Sequence, residues 1–186
     1  LKFLLLVLVL FFSKSEYAQK KFAEYDDTFK KYSKRFFGPG YDWKLFKAQS
    51  IAESGLTPDA LSPVGARGLM QLMPSTFADI QSANTEFKSI DDPVWNIAAG
   101  IYYDKQLYNK WNEIESKEEK FNFTFGSYNA GRGTILKAQE KAKLKDLDHT
   151  DWNNISLVAP EVPKWRHEET LNYVERIIKF HNQLIK

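Results

Sequence analysis

Residues 55 to 68 carry Gly55, Pro58, Pro63, Gly65 and Gly68 in a chain that otherwise reads as helix, and this punctuation restricts the fold more than any other feature. Proline fixes φ and removes a backbone donor, and glycine weakens a helix interior, so a helix arriving from the N-terminal side stops at Gly55. The next one starts at Pro74, a residue that suits a first helical turn. The spacing predicts an ordered, nearly uncharged loop over residues 55–68 that can wall a cleft, with a short strand over residues 68–72. Glu53, followed by Ser54, falls at the end of the helix that the loop interrupts.

The flanking segments carry helical periodicity. Phe22, Tyr25, Phe29, Tyr32 and Phe36 recur at spacings of three and four and predict an amphipathic helix from about Gln19 to Phe36, broken by Gly38-Pro39-Gly40. Asp42 caps the next helix, on which Leu45, Ala48 and Ala52 form one stripe and Phe46, Ser50 and Glu53 an adjoining one. Asp92-Pro93 opens another, continued by Ile97, Ala98, Ile101 and Tyr108. Further helices are expected from Glu118, through Phe121, Thr124, Phe125 and Tyr128; around Ile135, Leu136, Ala138, Gln139 and Ala142; and from His167 to Leu184. Asp146 to Asn154 reads as a polar stretch, and Pro160 and Pro163 as bounds of an irregular connection. The expectation is a mainly α (α+β) fold with six to seven helices and a small β element beside a cleft.

At 186 residues, one domain over residues 16–186 after a short leader accounts for the chain. Lys2 precedes an apolar run from Phe3 to Phe12, the length of a signal-peptide core and shorter than the roughly 20 residues that span a bilayer. Export follows, with Ser13 and Ser15 suiting cleavage after Ser15; a longer anchor that ties the chain to a membrane stays open as the alternative. A net charge of +2 gives no case for nucleic acid, and the basic run Lys20, Lys21, Lys30, Lys31, Lys34 and Arg35 reads as a solvated helix face. With no cysteine there is neither a disulfide nor a thiolate zinc site nor a cysteine nucleophile.

Rival catalytic signatures fail. His167-Glu168-Glu169-Thr170-Leu171 has Leu where a zinc-protease helix needs its second His, and His149, His167 and His181 form no triad pattern, so all three read as surface residues. Carboxylate chemistry remains, and it suits glycosidic bonds, whose cleavage needs a proton on the leaving oxygen as positive charge develops on the sugar. A Glu has an ordinary pKa of about 4.3, and holding its proton near neutrality disfavours the charged form by about 2.7 kcal/mol. Apolar neighbours such as Ala52, Leu69, Met70 and Leu72 can supply that desolvation. No second acid has an equally marked setting: Asp59 fits a turn, Asp91 and Asp92 fit caps, and Asp79 has no special context.

Four segments, in order, resemble the motifs of the transglycosylase SLT family, the lytic enzymes that cut peptidoglycan glycan strands. They are Ala52-Glu53-Ser54-Gly55, Ser62-Pro63-Val64-Gly65-Ala66-Arg67-Gly68-Leu69-Met70-Gln71-Leu72-Met73-Pro74, Ser127-Tyr128-Asn129-Ala130-Gly131 and Glu169-Thr170-Leu171-Asn172-Tyr173-Val174. The similarity covers about residues 25 to 180 and departs at Ser127, commonly Ala, and Leu171, commonly Arg. The resemblance implies a lysozyme-like fold and Glu53 as general acid, then base. It also implies Ser54, Met70, Gln71 and Asn129 along a glycan cleft, Tyr128 in its wall, and Tyr173 bonded to Glu53 or substrate. It further implies non-hydrolytic cleavage between N-acetylmuramic acid and N-acetylglucosamine that leaves a 1,6-anhydro end, in the cell envelope and with no metal or organic cofactor. A goose-type lysozyme hydrolase and a non-catalytic glycan-binding scaffold of the envelope machinery stay open as alternatives.

Overall fold

The computed structural model describes residues 23–186, in which eight α-helices are joined by loops. The expected leader, the first turn of the predicted helix at Gln19 to Phe22, and Lys20 and Lys21 of the basic run lie outside the described residues. Helix α1 spans Asp26–Phe37 and α2 Lys44–Ser54; α3 is Pro74–Ala83, α4 Pro93–Tyr108, α5 Lys117–Ala130, α6 Arg132–Leu144, α7 Trp152–Val158 and α8 His167–Leu184. No described helix is long and apolar enough to cross a membrane.

Helix α5 is the axis of the fold, packed against α4, α6, α7 and α8. Every residue from Phe121 to Ser127 is buried, so no face of its middle turns is left for water, as a helix at the centre of a bundle requires. Helix α2 lies along α8 and against α1, and α1 covers α4. Gly126 permits the closest approach in the core: a Cβ there would sit 2.2 Å from the Trp152 ring. Along α1, Lys30, Lys31, Lys34 and Arg35 are exposed, with Lys30 paired to Asp27 and Arg35 to Glu86, which is the solvated face that their spacing indicates.

Two expectations need correction. The polar stretch from Asp146 runs into a helix, α7, that the sequence reading did not include, and a 3-10 turn, Ala159–Glu161, occupies the start of the connection bounded by Pro160 and Pro163. Asp151 caps α7 by accepting from the Asn153 N–H, and Trp152, Ile155, Val158 and Ala159 supply a buried stripe too short to stand out among polar neighbours. The strand expected over residues 68–72 is absent as well. Among the described residues only two isolated antiparallel bridges occur, Leu61 with Arg67 and Arg67 with Leu72, and Gly68 to Gln71 form the turn between Arg67 and Leu72. Gly68 and Gln71 take φ of +74° and +46°, which strand geometry excludes, and side chains claim the backbone groups that a ladder would pair.

Candidate active site

Gly55 ends α2 in the left-handed conformation, its N–H bonded to the Ile51 carbonyl, so Glu53 sits in the last turn and projects from the helix just before the chain swings away. The loop is then folded back over that helix end. The hydroxyls of Ser50 and Ser54 both lie 2.9 Å from the Leu69 carbonyl oxygen, and the Thr57 N–H donates to Ser54 Oγ. From α4, Asn96 Oδ1 accepts the Met70 N–H at 2.8 Å while Nδ2 donates to the carbonyls of Arg67 and Ile90. From α5, the Tyr128 hydroxyl donates to the Met70 carbonyl at 2.8 Å. Three helices therefore hold one turn against the end of α2.

Glu53 is half-buried, and its Oε1 accepts a 2.6 Å hydrogen bond from the Tyr173 hydroxyl on α8. Burial raises its pKa from 4.5 to about 7, opposed by the Tyr173 hydrogen bond and by the charge of Arg176. Desolvation and the Glu53 carboxylate hold the Tyr173 and Tyr128 phenols well above their ordinary range, so both remain hydrogen-bond donors at any physiological pH. Glu53 Oε2 has no protein partner among the described residues. The site thus presents a carboxyl that exchanges a proton near neutrality, anchored through one oxygen and available through the other.

The other residues expected at the site divide into two groups. Tyr128 stands half-buried beside Glu53, and Asn129 is exposed at the end of α5. Trp165 Nε1 donates to Thr170 Oγ1 at 2.9 Å, so the Thr170 hydrogen is directed to Asn129 Oδ1, 2.8 Å away. That order fixes the orientation of the Asn129 amide and turns its N–H groups outward. Ser54 and Gln71 are engaged in the loop: Gln71 Nε2 donates to the carbonyls of Ala60 and Gly68. The Met70 side chain is 0% exposed and packs over Gly100, so it supports the wall from behind and offers no surface to the cleft.

Sequence reasoning passed over Asn96, Thr170, Trp165 and Asp104. Asn96 and Asp104 lie among the apolar residues of α4, and a polar side chain on a buried stripe is the signal that finds them. Asp104 is 0% exposed, accepts from Gln49 Nε2 at 3.2 Å, and lies within the electrostatic reach of Glu53. Asp59, Asp79 and Asp91 are all exposed; Asp91 pairs with Arg67, whereas Asp92 caps α4 through the N–H groups of Val94 and Trp95. Ser127, at a motif position commonly Ala, accepts from the buried Trp111 indole at 3.2 Å. His181 binds Asp42 at 2.8 Å, away from Glu53 along α8, and no group of three or more His, Asp or Glu side chains among the described residues is arranged to hold a metal.

The family model of the transglycosylase SLT domain matches residues 28–150. The membrane-bound lytic murein transglycosylase F of Photobacterium profundum is 28% identical over 178 residues, covering 90% of this chain and 33% of that protein. The protein of the same name from Desulfosudis oleivorans is 31% identical over 156 residues, covering 78% and 33%. The chain therefore spans about a third of the length of these relatives. Among solved structures, the 70 kDa soluble lytic transglycosylase of Escherichia coli superposes with a TM-score of 0.65 at 26% identity, covering 84% of this chain and 23% of that one. The lytic transglycosylase Slt of Pseudomonas aeruginosa, at 24% identity over 86% of this chain and 23% of its own, shares the fold with a TM-score of 0.66.

Proposed function

The chain belongs to the transglycosylase SLT family, and from that premise we propose that it cleaves the glycan strands of peptidoglycan without water, leaving 1,6-anhydromuramic ends. The observation that carries the reading is the state of Glu53, with a pKa of about 7, Oε1 fixed by Tyr173 and Oε2 free. At neutral pH roughly half of the molecules hold the proton that a leaving group needs, and the other half present a base.

The steps balance without a second carboxylate. Glu53 Oε2 gives its proton to the glycosidic oxygen as the bond from C1 of the muramic sugar breaks, and the N-acetyl carbonyl of the same sugar stabilises C1. The Tyr173 hydroxyl, on Oε1, stabilises the carboxylate that results. Glu53 then takes the proton of the C6 hydroxyl as that oxygen bonds to C1, which returns the acid to its starting state. The C6 hydroxyl is tethered to the carbon that it attacks, so its effective concentration exceeds that of bulk water. Asp104 takes no direct part, since complete burial keeps it from both sugar and water.

In this reading Tyr128 and the outward N–H groups of Asn129 meet the glycan, while Ser54, Met70 and Gln71 shape the wall that it rests on. The apolar run from Phe3 to Phe12 directs the chain to the cell envelope, where its substrate is. Mass spectrometry of the muropeptides released from purified sacculi tests the proposal. Anhydro ends, lighter by one water and resistant to borohydride, are the expected products; mainly reducible muramic ends would replace the lyase reading with that of a lysozyme-type hydrolase, and no release at all would favour a binding scaffold.

A further inference from the structure

Gln49 and Glu53 are four residues apart on α2, so their side chains lie one above the other on the same face of the helix. Gln49 is the buried member, and its Nε2 donates to Asp104 Oδ1 at 3.2 Å. The remaining atoms of this pair, Gln49 Oε1 and Asp104 Oδ2, are both buried, and neither has a hydrogen-bond partner among the described residues. Two orphaned acceptors on one hydrogen-bonded pair are a costly arrangement in a protein interior, and an ionised Asp104 would add a buried charge held by a single neutral donor. One proton removes all of these costs. We propose that Asp104 is a protonated positioning residue whose Oδ2–H donates to Gln49 Oε1, closing a two-bond acid–amide pair one helical turn below Glu53.

The surroundings agree with this assignment. Among the described residues, the groups that act on Asp104 or feel its charge include Gln49 and Glu53 from α2, Tyr103 beside it on α4, Tyr128 from α5 and Tyr173 from α8, none of them a cation. Burial, aided by the neighbouring Glu53 charge, raises the Asp104 pKa well above the ordinary carboxylate value against the pull of the Gln49 hydrogen bond. Turning the Gln49 amide over changes nothing, because in a closed pair one carboxyl oxygen always faces the amide oxygen and needs a proton between them. Such a pair fixes Gln49, and with it the turn of α2 from which Glu53 projects. It also keeps a second negative charge out of the site, so that Glu53 can ionise midway through its cycle.

The kinetic part of the test rests on the role of Glu53 proposed above, whereas the spectroscopic part does not. In the full chain carrying ¹³C-carboxyl aspartate, one resonance is expected to keep the chemical shift of a neutral acid at neutral pH, where exposed aspartates are ionised, and to vanish in Asp104→Asn; a resonance at that position with carboxylate character overturns the proposal. Asp104→Asn preserves shape, neutrality and both bonds through an amide–amide pair, so kcat and KM are expected within about twofold of the parent and the alkaline limb of the pH profile is expected not to move. A downward shift of that limb by about one pH unit would mean that a negative charge had been removed beside Glu53, and that result also overturns the proposal. Asp104→Leu strands the Gln49 amide and is expected to lower kcat about tenfold with KM little changed, while Asp104→Asn at the same position retains activity. An inactive chain with the neutral carboxyl signal intact would leave Asp104 as assigned and count against the lyase reading alone.

Discussion

The Tyr173 hydroxyl lies 2.6 Å from Glu53 Oε1 across 120 residues of sequence, and the two residues meet because α2 and α8 pack along each other. The bond favours the charged form of Glu53 where burial favours the neutral one. Tyr173→Phe removes the donor without opening a cavity, so the Glu53 pKa is expected to rise further. The alkaline limb of activity should move up by roughly half a pH unit to one unit, and kcat should fall about tenfold or more because the carboxylate product of the first step loses its partner. An unchanged pH profile would show that the hydroxyl does not control the acid.

Glu53→Gln is expected to lower turnover at least about 10²-fold with sacculus binding preserved, as measured by turbidity and co-sedimentation. The same substitution carries a stability signature. A carboxyl whose pKa is raised from 4.5 to about 7 on folding binds more protons in the native state, so the parent loses stability as pH climbs through that window. The amide does not titrate. Thermal melts should therefore place the variant level with the parent near pH 4 and roughly 6–12 °C above it near pH 8.5, about 3 kcal/mol for a domain of this size.

Gly68 is held at φ +74° with the Asn96 amide where a side chain would go: a Cβ would stand 2.5 Å from Asn96 Nδ2. Gly65, at φ +90°, meets nothing within 4 Å. Gly65→Ala is expected to cost about 1 kcal/mol for backbone strain alone, and Gly68→Ala about 3 kcal/mol or more, since it also displaces the amide that serves Met70, Arg67 and Ile90. Denaturant titration of the two variants measures the difference directly.

Ser50 and Ser54 converge on the Leu69 carbonyl, so each covers for the other. Ser50→Ala or Ser54→Ala alone should cost about 1 kcal/mol, whereas the double variant leaves the carbonyl without either donor and should exceed the sum by about 1 kcal/mol. Additive losses in a double-mutant cycle would show that one serine alone holds the turn.

Much of this was readable from residue order. Glycine and proline located the loop and, at Pro74, the start of α3, helical patterning located six more helices, and Asp92 was legible as a cap because that role is local. What was hidden depends on partners distant along the chain. The segment 68–72 has the composition of a strand, but Ser50, Ser54, Asn96 and Tyr128 compete for its backbone, and those bonds span up to 58 residues. The inward placement of the Met70 side chain follows from the same competition. Helix α7 was obscured for another reason: seven residues provide too few turns for a period to stand out, and Gly126 and Trp152, whose contact seats it, are far apart in sequence.

The clasped turn at residues 67–72 separates the reach of the loop from its hold on Glu53. Its outer tip closes on itself, with the Ser62 N–H on the Ala66 carbonyl, the Ala66 N–H on Ser62 Oγ and the Gly65 N–H on the Ser62 carbonyl, and Val64 at its apex is 76% exposed. None of the bonds from Ser50, Ser54, Asn96 or Tyr128 reaches that tip. Residues 62–66 are therefore anchored only by one another, and turns of other lengths grafted there are expected to leave the acid and its tyrosine in registration.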